Sequence, residues 1–431
     1  MELRIESLPV LSVVIPTRNR VPYAISTIQS ILEIPDPRLE LVVQDNSDSR
    51  DLEFYVHENI KDNRFRYRYT PPPFSSIDNF NAALEMTTGE YLCLIGDDDG
   101  VNPEIIEAAA WAKANDIDAL TSRNICNYLW RNTGIPSTLF TKVEGGQLSI
   151  TEFSGKIFEV DVRCEVTKLI RNGGLYYLSF HLPKLYHGLV RRRCLDDIHE
   201  IIGAYFGGLS PDIFAVLAIA CVANRVVVLD YPLTIPGACK VSSSVVEGQK
   251  KKHSKRLEDA PQFRDRGEYH WCELVPRVFS PETIWVDSGI AALRAMGRND
   301  LVQELNLPKL AAYCIGANRG VTGPVLRDLF MGLRIIGKNP AIGVIQFPWS
   351  LLTGPGVKFA RRAWNRFLMI IGMRAIYRID GLENMVEVSH ALTRYLKENG
   401  HSFSDCVASR ETTDYLVSKN KGVRHDELRK C

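Results

Sequence analysis

Three consecutive carboxylates, Asp97, Asp98 and Asp99, follow a short apolar run over residues 91–95. The run predicts a buried strand, so the acids would emerge at its C-terminal end, the edge at which open α/β sheets bind ligands. Adjacent carboxylates repel one another, and a bound cation relieves that repulsion. Oxygen ligands suit Mn²⁺ or Mg²⁺, so the triplet predicts a divalent cation site. By itself the triplet is equally consistent with a solvated turn that caps the next helix.

Two further groups of polar residues follow predicted strands. Pro16, Thr17 and Arg18 end the run at residues 11–16, and Asp45 ends the run at 39–43. A carboxylate there can accept a hydrogen bond from the imide N–H of a uracil-like base, while the backbone at residues 16–17 can pair with the base edge. Each group alone is also typical of a polar turn or a surface arginine. Their common placement at one sheet edge favours a nucleotide site.

Single helical patterns separate these strands. Predicted strands at 11–16, 39–43, 64–69, 91–95 and 117–121 alternate with helical spacing, as at Ile25, Ile28 and Ile31, and a last strand is predicted at 225–230. This alternation predicts an α/β fold with a parallel, Rossmann-type sheet flanked by helices. Neither Gly-x-Gly-x-x-Gly nor a Gly-Lys-Ser/Thr loop follows the first strand, which argues against dinucleotide and P-loop enzymes.

Composition bounds the protein class. The 431 residues predict two domains, and 45% hydrophobic with 24% charged residues is ordinary globular composition. The ten cysteines form no Cys-x-x-Cys pair, which argues against zinc and a disulfide framework and favours a reducing, cytoplasmic setting. The acidic N-terminus is not typical of a signal peptide, and the sequence has no uninterrupted apolar run of about 20 residues.

Four motifs resemble the family 2 glycosyltransferases, which are inverting enzymes of the GT-A fold that use nucleotide-sugar donors. The motifs are the opening strand and turn at 12–19, the second strand with Asp45 at 41–47, the stretch from Asn81 to Leu92, and the acidic segment 96–103. They occur in the family's order and spacing across about the first 120 residues. The resemblance implies a GT-A-like, mixed and mainly parallel sheet. It does not cover the region from about residue 262 onward, where helical patterns predict a mostly helical domain.

The resemblance also implies roles for individual residues. Pro16, Thr17, Arg18, Asp45 and Asn81 would contribute to donor binding. Asp97 would bind a ribose or sugar hydroxyl, and Asp98 would bind the metal, with Asp99 beside it as a second ligand or a support. The first acid of the usual Asp-x-Asp pattern falls on Gly96, so the pairing of acids is open. A UDP-sugar is the commoner donor in this family.

The acceptor half of the resemblance lies further along the chain. The residues from Tyr186 to Arg192, followed by those from Ser210 to Phe214, are similar to the segment where the family carries its general base, and Asp212 opens an apolar helix there. Inversion needs such a base, because the acceptor hydroxyl must lose its proton. Asp212 is also consistent with a plain helix cap, and His187 with a packed core histidine. Tyr186 and His187 are predicted to contact the acceptor.

The predicted boundaries are a catalytic domain at 1–260 and a helical domain at 261–431. The catalytic domain divides into a nucleotide-sugar half, 1–121, and an acceptor half, 122–260. The basic run 250–256 is predicted to be a lid over the donor or a linker. Residues 358–378 predict a basic amphipathic helix that lies on the cytoplasmic face of a membrane, or packs on its own domain or an oligomer partner. No nucleic-acid motif accompanies its basic residues.

The predicted function is therefore transfer of a sugar from a nucleotide-sugar to a hydroxyl of a glycan or lipid-linked acceptor. The resemblance implies assembly of cell-surface polysaccharide or glycolipid at the cytoplasmic leaflet. One alternative is a non-catalytic scaffold that binds a membrane or a partner, which the Gly96 substitution keeps open. A sugar-nucleotide nucleotidyltransferase is the other, but it needs a glycine-rich basic loop after the first strand, and residues 16–19 do not supply one.

Overall fold

The central sheet is built on β1 (Leu11–Thr17), whose seven residues are all buried. β1 pairs in parallel with β2 (Leu39–Asp45) on one side and with β4 (Tyr91–Leu94) on the other. The continuous apolar sequence of these strands follows from burial on both faces of the sheet. The computed structural model describes residues 9–131, 145–240, 257, 261–317, 319–341, 343, 347 and 376–410.

Eight strands form this sheet in the order β3-β2-β1-β4-β10-β6-β11-β9. The strands not yet given are β3 (Phe65–Tyr69), β6 (Ala119–Ser122), β9 (Ile157–Val160), β10 (Gly188–Arg191) and β11 (Val226–Leu229). β10 runs antiparallel between β4 and β6, β9 is antiparallel at the edge, and the other pairings are parallel. The sheet is therefore mixed and mainly parallel, which confirms the predicted fold class.

Helices cover both faces of the sheet. Their bounds are α1 (Val21–Leu32), α2 (Asp51–Asn59), α3 (Ser76–Glu85), α4 (Ile105–Ala114), α5 (Val162–Arg171), α6 (Arg192–Ile202), α7 (Pro211–Val222), α8 (Pro281–Ala295), α9 (Asn299–Gln303), α10 (Leu307–Ala317), α11 (Thr322–Ile335) and α12 (Met385–Glu398). None of these described helices combines the length and apolarity that crossing a bilayer requires.

Two cores lie on the two faces, because successive residues of a strand point to opposite sides. Val14 and Leu92 face a core shared with α3, α5, α6 and α7. Val13 and Tyr91 face the other core, with α1, α2 and α4. The first core also includes residues of α8, α10 and α11. Helices α8, α10 and α11 therefore share one hydrophobic core with α5, α6 and α7.

The end of the described chain returns to the first domain. Strand β14 (Ile376–Ile379) pairs with β8 (Gln147–Thr151) in a sheet of order β13-β7-β8-β14, with β7 (Cys126–Leu129) and β13 (Gly237–Ala238). Helix α12 then joins the α1 core, and the Met385 N–H donates to Ser26 Oγ at 2.7 Å. Strand β5 (Gly100–Val101), directly after the acid triplet, pairs with β12 (Thr234–Ile235).

Two predicted segments fall largely outside the described residues. The basic run 250–256 lies outside them entirely, and so does most of the amphipathic helix predicted at 358–378. The last three residues of that predicted helix, 376–378, belong instead to β14. Sequence reasoning extended the helical pattern too far, because it had no means to see the pairing partner β8.

Gly89 allows the close approach of the loop before β4 to β1. A Cβ at this position would lie 2.6 Å from the backbone nitrogen of Ser12, and the Gly89 N–H donates to Ser12 Oγ at 2.8 Å. We expect Gly89→Ala to lower the free energy of unfolding by about 1–3 kcal/mol, because the backbone of Ser12 cannot move without shifting β1. Urea unfolding followed by circular dichroism measures this. Glu58→Ala, at an exposed position of α2, is the control and should change stability by no more than about 0.5 kcal/mol.

Candidate active site

A cavity of about 630 Å³ opens at the carboxyl ends of β1 and β4. Its volume lies within the range of about 300–1,000 Å³ that is usual for small-molecule sites. The predicted residues that line it are Pro16, Thr17, Arg18, Asp97, Asp98, Asp99, Tyr186, His187 and Asp212. These residues come from four separate parts of the chain, and the parallel topology brings them to one sheet edge.

Asp97 is held by the turn between β1 and α1. One carboxylate oxygen accepts from Thr17 Oγ1 at 2.6 Å, and the other from Arg20 Nη1 at 3.0 Å. Burial raises the pKa of Asp97, against the attraction of Arg20, and the charge of Asp98 adds to the rise. Thr27 Oγ1 lies within 3.0 Å of the carbonyl oxygens of Asp97 and Asp99, which fixes the backbone of the acidic loop.

Asp98 shares Arg20 with Asp97 and is held from the opposite side by the segment after β12. Asp98 Oδ1 lies 3.4 Å from Arg20 Nη1, and Oδ2 accepts from the Cys239 N–H at 3.2 Å. Trp130 Nε1 donates to the Asp98 carbonyl at 2.8 Å. A Cβ on Gly237 would lie only 1.7 Å from that same carbonyl, so this close approach requires glycine.

Asp99 accepts from four protein groups. The N–H groups of Gly96 and Gly237 donate at 2.6 Å each, and the Tyr186 hydroxyl donates at 3.0 Å. His187 Nε2 lies 3.3 Å from Asp99 Oδ2. Burial alone would raise the pKa of Asp99, but the charge and hydrogen bond of His187 and the two N–H groups outweigh burial and lower it. These contacts favour a supporting role for Asp99 over direct metal binding, and its metal role stays a prediction.

His187 is placed between Asp99 and β12. Its Nδ1 lies 3.1 Å from Thr234 Oγ1, and its backbone is left-handed at φ 61°. An uncommon conformation for a residue with a Cβ persists where surrounding contacts fix it. Burial and the neighbouring Asp99 keep the pKa of Tyr186 well above its usual range, so its hydroxyl remains a donor.

Asp212 lies in the first turn of α7, directly after Pro211, and lines the cavity. Burial raises its pKa to about 6, because the charge of Asp99 adds to burial and His187 only partly opposes them. A carboxylate with this pKa is ionised at neutral pH and is more basic than an ordinary aspartate. The position therefore suits a proton acceptor.

Helix α8 holds the turn that carries Asp212. Ser288 is fully buried, and its Oγ accepts from the N–H groups of Leu209 and Ser210 at 3.0 and 2.9 Å. Sequence reasoning missed Ser288, because a serine inside an apolar helical pattern gives no signal of its tertiary partners. Two cavity-lining residues of the same helix, Ile284 and Trp285, were missed for the same reason.

Two predicted donor-site residues lie away from the cavity wall. Asp45 is fully buried, and its two oxygens accept from the Ser47 N–H and the Tyr67 hydroxyl at 2.8 Å each. Asn81 Oδ1 accepts from the N–H groups of Tyr205 and Phe206 at 2.9 Å each, so this side chain anchors the loop before α7. Neither residue belongs to the cavity lining, and the ligand roles predicted for them stay predictions.

Their neighbours Asn46 and Asn79 do line the cavity. Asn79 Nδ2 donates to the Thr17 carbonyl at 3.3 Å, but Asn79 Oδ1 is buried without a hydrogen-bond partner. Buried polar atoms are nearly always paired, so an unpaired acceptor in a cavity wall is suited to a ligand donor. Sequence reasoning missed Asn79, because an asparagine near the start of a helix gives no signal of its tertiary partners.

Arg18 lines the cavity at the same strand end. It donates to Asp265 at 2.8 Å and to Asp48 at 3.2 Å. Asp265 follows residue 260, so this ion pair joins the first turn of the nucleotide half to the segment after the acceptor half. Arg264 and Gln262 from that segment also line the cavity.

The carboxylate oxygens of the acid triplet are ligands of the kind that a divalent cation prefers. Arg20 already places a positive charge between Asp97 and Asp98, which shows that this position stabilises a cation. Among the residues that the structure describes, no group of three or more His, Cys, Asp and Glu side chains is arranged to hold a metal ion. Mg²⁺ usually takes one or two carboxylates and completes its shell with water and substrate phosphates, so metal binding by Asp98 needs no such group and stays a prediction.

Ser288→Ala tests the support of the Asp212 turn. The variant leaves two buried N–H groups without an acceptor, and we expect the free energy of unfolding to fall by about 1–3 kcal/mol in urea titrations. Ser30→Ala is the matched control: this buried serine donates to the Thr27 carbonyl of its own helix, so its removal should cost less. Equal losses of unfolding free energy in the two variants would contradict the role assigned to Ser288, which is to hold the turn at residues 209–210.

Comparison with known proteins identifies the N-terminal part of the chain. Residues 12–162 match the family model described as Glycosyl transferase family 2, which confirms the resemblance and the predicted enzyme class, a glycosyltransferase. No curated protein matches the chain.

Among solved structures, the chain is similar to S. aureus TarS. The TarS 1–349 complex with UDP-GlcNAc is 16% identical, with 76% of this chain and 90% of that chain covered and a TM-score of 0.39. A second TarS structure is 17% identical and covers 80% of this chain and 55% of that chain, also at a TM-score of 0.39. The TarS 1–349 complex with UDP is 16% identical, covers 81% of this chain and 91% of that chain, and has a TM-score of 0.37.

Proposed function

Because residues 12–162 form a glycosyl transferase family 2 domain, we propose that the protein is an inverting enzyme that transfers a sugar from a nucleotide-sugar to an acceptor hydroxyl. One observation carries the proposal: the acid triplet and Asp212 line a single cavity. The triplet supplies a donor site, and the carboxylate at the start of α7 supplies a base. A scaffold has no need for a carboxylate of raised pKa in the same cavity as an acid cluster.

The donor would bind at the ends of β1 and β4. Asp97 would accept from a ribose or sugar hydroxyl, and Asn79 Oδ1 offers an unpaired acceptor for the nucleoside. Arg18 and Arg20 supply positive charge where a diphosphate would lie. UDP is the nucleotide that the family resemblance favours.

The transfer is a single displacement. The acceptor oxygen forms a bond to the anomeric carbon while the bond from that carbon to the phosphate oxygen breaks. The hydroxyl proton goes to Asp212, and the electron pair of the broken bond leaves with the nucleoside diphosphate. A divalent cation held by Asp98 would stabilise the charge of the departing diphosphate. The acceptor is a glycan or a lipid-linked sugar at the cytoplasmic face of the membrane, as the resemblance implies.

Calorimetric titration of UDP and GDP, with Mn²⁺, Mg²⁺ or EDTA, tests the donor site. We expect metal-dependent binding of one nucleotide, and at least about tenfold weaker binding by Asp98→Ala, since loss of even an outer-shell partner costs 10–100-fold. Asp51→Ala, an exposed acid at the start of α2, is the control and should bind as the wild type does. If the wild type binds neither nucleotide under any condition, the proposed function is wrong and a scaffold is favoured.

The pH dependence of transfer tests the base. Asp212 must be ionised to accept a proton, and its pKa is raised to about 6. The value of kcat/KM should therefore be low at acidic pH, where Asp212 is protonated. It should rise as the pH approaches about 6 and level off above that pH.

Asp212→Asn should lower transfer by about 10²–10⁴-fold and retain nucleotide binding. Asp287→Asn is the matched control, because burial also raises the pKa of Asp287 to about 6 although it lies outside the cavity lining. The opposite result would contradict this assignment: the acidic limb of the pH profile would disappear in Asp287→Asn and remain in the residual activity of Asp212→Asn. The limb would then report the titration of Asp287, and Asp212 would not be the base.

A further inference from the structure

One wall of the cavity comes from α8, far outside the 12–162 family match. Pro281, Ile284 and Trp285 line the cavity from the first turns of this helix. A capping box between Ser280 and Thr283 fixes the point at which the helix begins. The position of these three side chains is therefore set by helix geometry.

The indole of Trp285 is held in a defined orientation beside the candidate base. Its ring packs edge-to-face on Tyr177, with centroids 5.1 Å apart and planes at 83°. Tyr177 is buried, and Trp285 and Asp212 line the same cavity. Trp285 itself stays partly exposed, so part of its surface remains accessible in the cavity.

The lining of the cavity changes character toward α8. At the strand ends the lining is charged or polar, from Arg18 and Arg20 to the acid triplet. The lining residues from α8 and from the turn before Asp212 are apolar except for Ser210, and they are Leu209, Pro211, Pro281, Ile284 and Trp285. A diphosphate is stabilised at the charged end of the cavity, whereas its charge would be poorly solvated at the apolar end.

A pyranose ring matches the apolar end. Its axial C–H groups form an apolar face that stacks on an indole, while its hydroxyls project at the rim where polar groups can reach them. An aliphatic chain would also pack on these apolar side chains, but it offers no hydroxyl along its length to the carboxylate of Asp212. A sugar on this wall would present a hydroxyl to Asp212.

We propose that Trp285, with Pro281 and Ile284, forms the acceptor subsite and binds the pyranose ring of a carbohydrate acceptor. The proposal rests on the proposed function and extends it, because it names the acceptor class and the element that selects it. Trp285 acts here by stacking and takes no part in proton transfer.

The test uses the full chain. The donor is a nucleotide-sugar with whichever nucleotide, UDP or GDP, binds in the calorimetric titration, and p-nitrophenyl pyranosides are the acceptor probes. Transfer to the glycoside and release of nucleotide to water are measured together in the wild type, Trp285→Ala and Trp285→Phe. We expect Trp285→Ala to raise the acceptor KM, and to lower the ratio of transfer to hydrolysis, by about tenfold, and Trp285→Phe to recover part of both. Trp111→Phe, in a partly buried tryptophan outside the cavity, is the matched control and should keep the wild-type ratio.

Three outcomes would overturn the proposal. An unchanged acceptor KM in Trp285→Ala would show that the ring does not bind the acceptor. An equal fall of transfer and hydrolysis would make Trp285 a structural residue. Transfer to prenyl or alkyl alcohols, with all pyranosides refused, would replace the sugar with a lipid. Nucleotide binding by the wild type distinguishes these results from a failure of the proposed function. If the proposed function is wrong, the wild type should bind neither UDP nor GDP.

Discussion

Three buried, adjacent carboxylates are the constraint on which the rest of this structure depends. Buried charges are tolerated only when donors and opposite charges surround them, and removal of one partner leaves an uncompensated charge. Here the donors come from separate elements. The end of β1 and the turn after it supply Thr17 and Arg20. The loop before β10 supplies Tyr186 and His187, and the segment after β12 supplies backbone N–H groups. The acid cluster thus joins the two halves of the sheet as well as forming a site.

The backbone of the acidic loop is fixed from behind by the end of the described chain. A Cβ on Gly100 would lie 2.5 Å from Met385 Sδ, so α12 packs directly against the strand that follows the triplet. Phe403 further along donates its N–H to Glu104 at 2.9 Å. Residues more than 280 positions from the triplet in sequence therefore help to set its geometry. Preorganisation of this kind lets carboxylates meet a ligand without rearrangement.

The sequence was informative where a local pattern determines the structure. Apolar runs without alternation indicated buried parallel strands, and an acid after Pro211 at the start of an apolar helix indicated the position of Asp212. Tertiary partners carry no such pattern. Nothing in the sequence links Ser288 to the turn at 209–210, or shows that Asp45 and Asn81 are engaged by protein groups while Asn46 and Asn79 line the cavity. Helical patterns were predicted after residue 260, but they could not show what the buried face of α8 contacts.

Ser288 and Trp285 are three residues apart on α8, so they lie on adjoining parts of one helix surface. One contacts the backbone that carries the candidate base, and the other lines the cavity beside it. A helix moves as a rigid body, so a change in its tilt or register displaces both contacts together. If Trp285 and Asp212 act as proposed, acceptor preference and base alignment are inherited as one trait. A relative with a different α8 would then change what it glycosylates and would have to readjust how the hydroxyl is deprotonated.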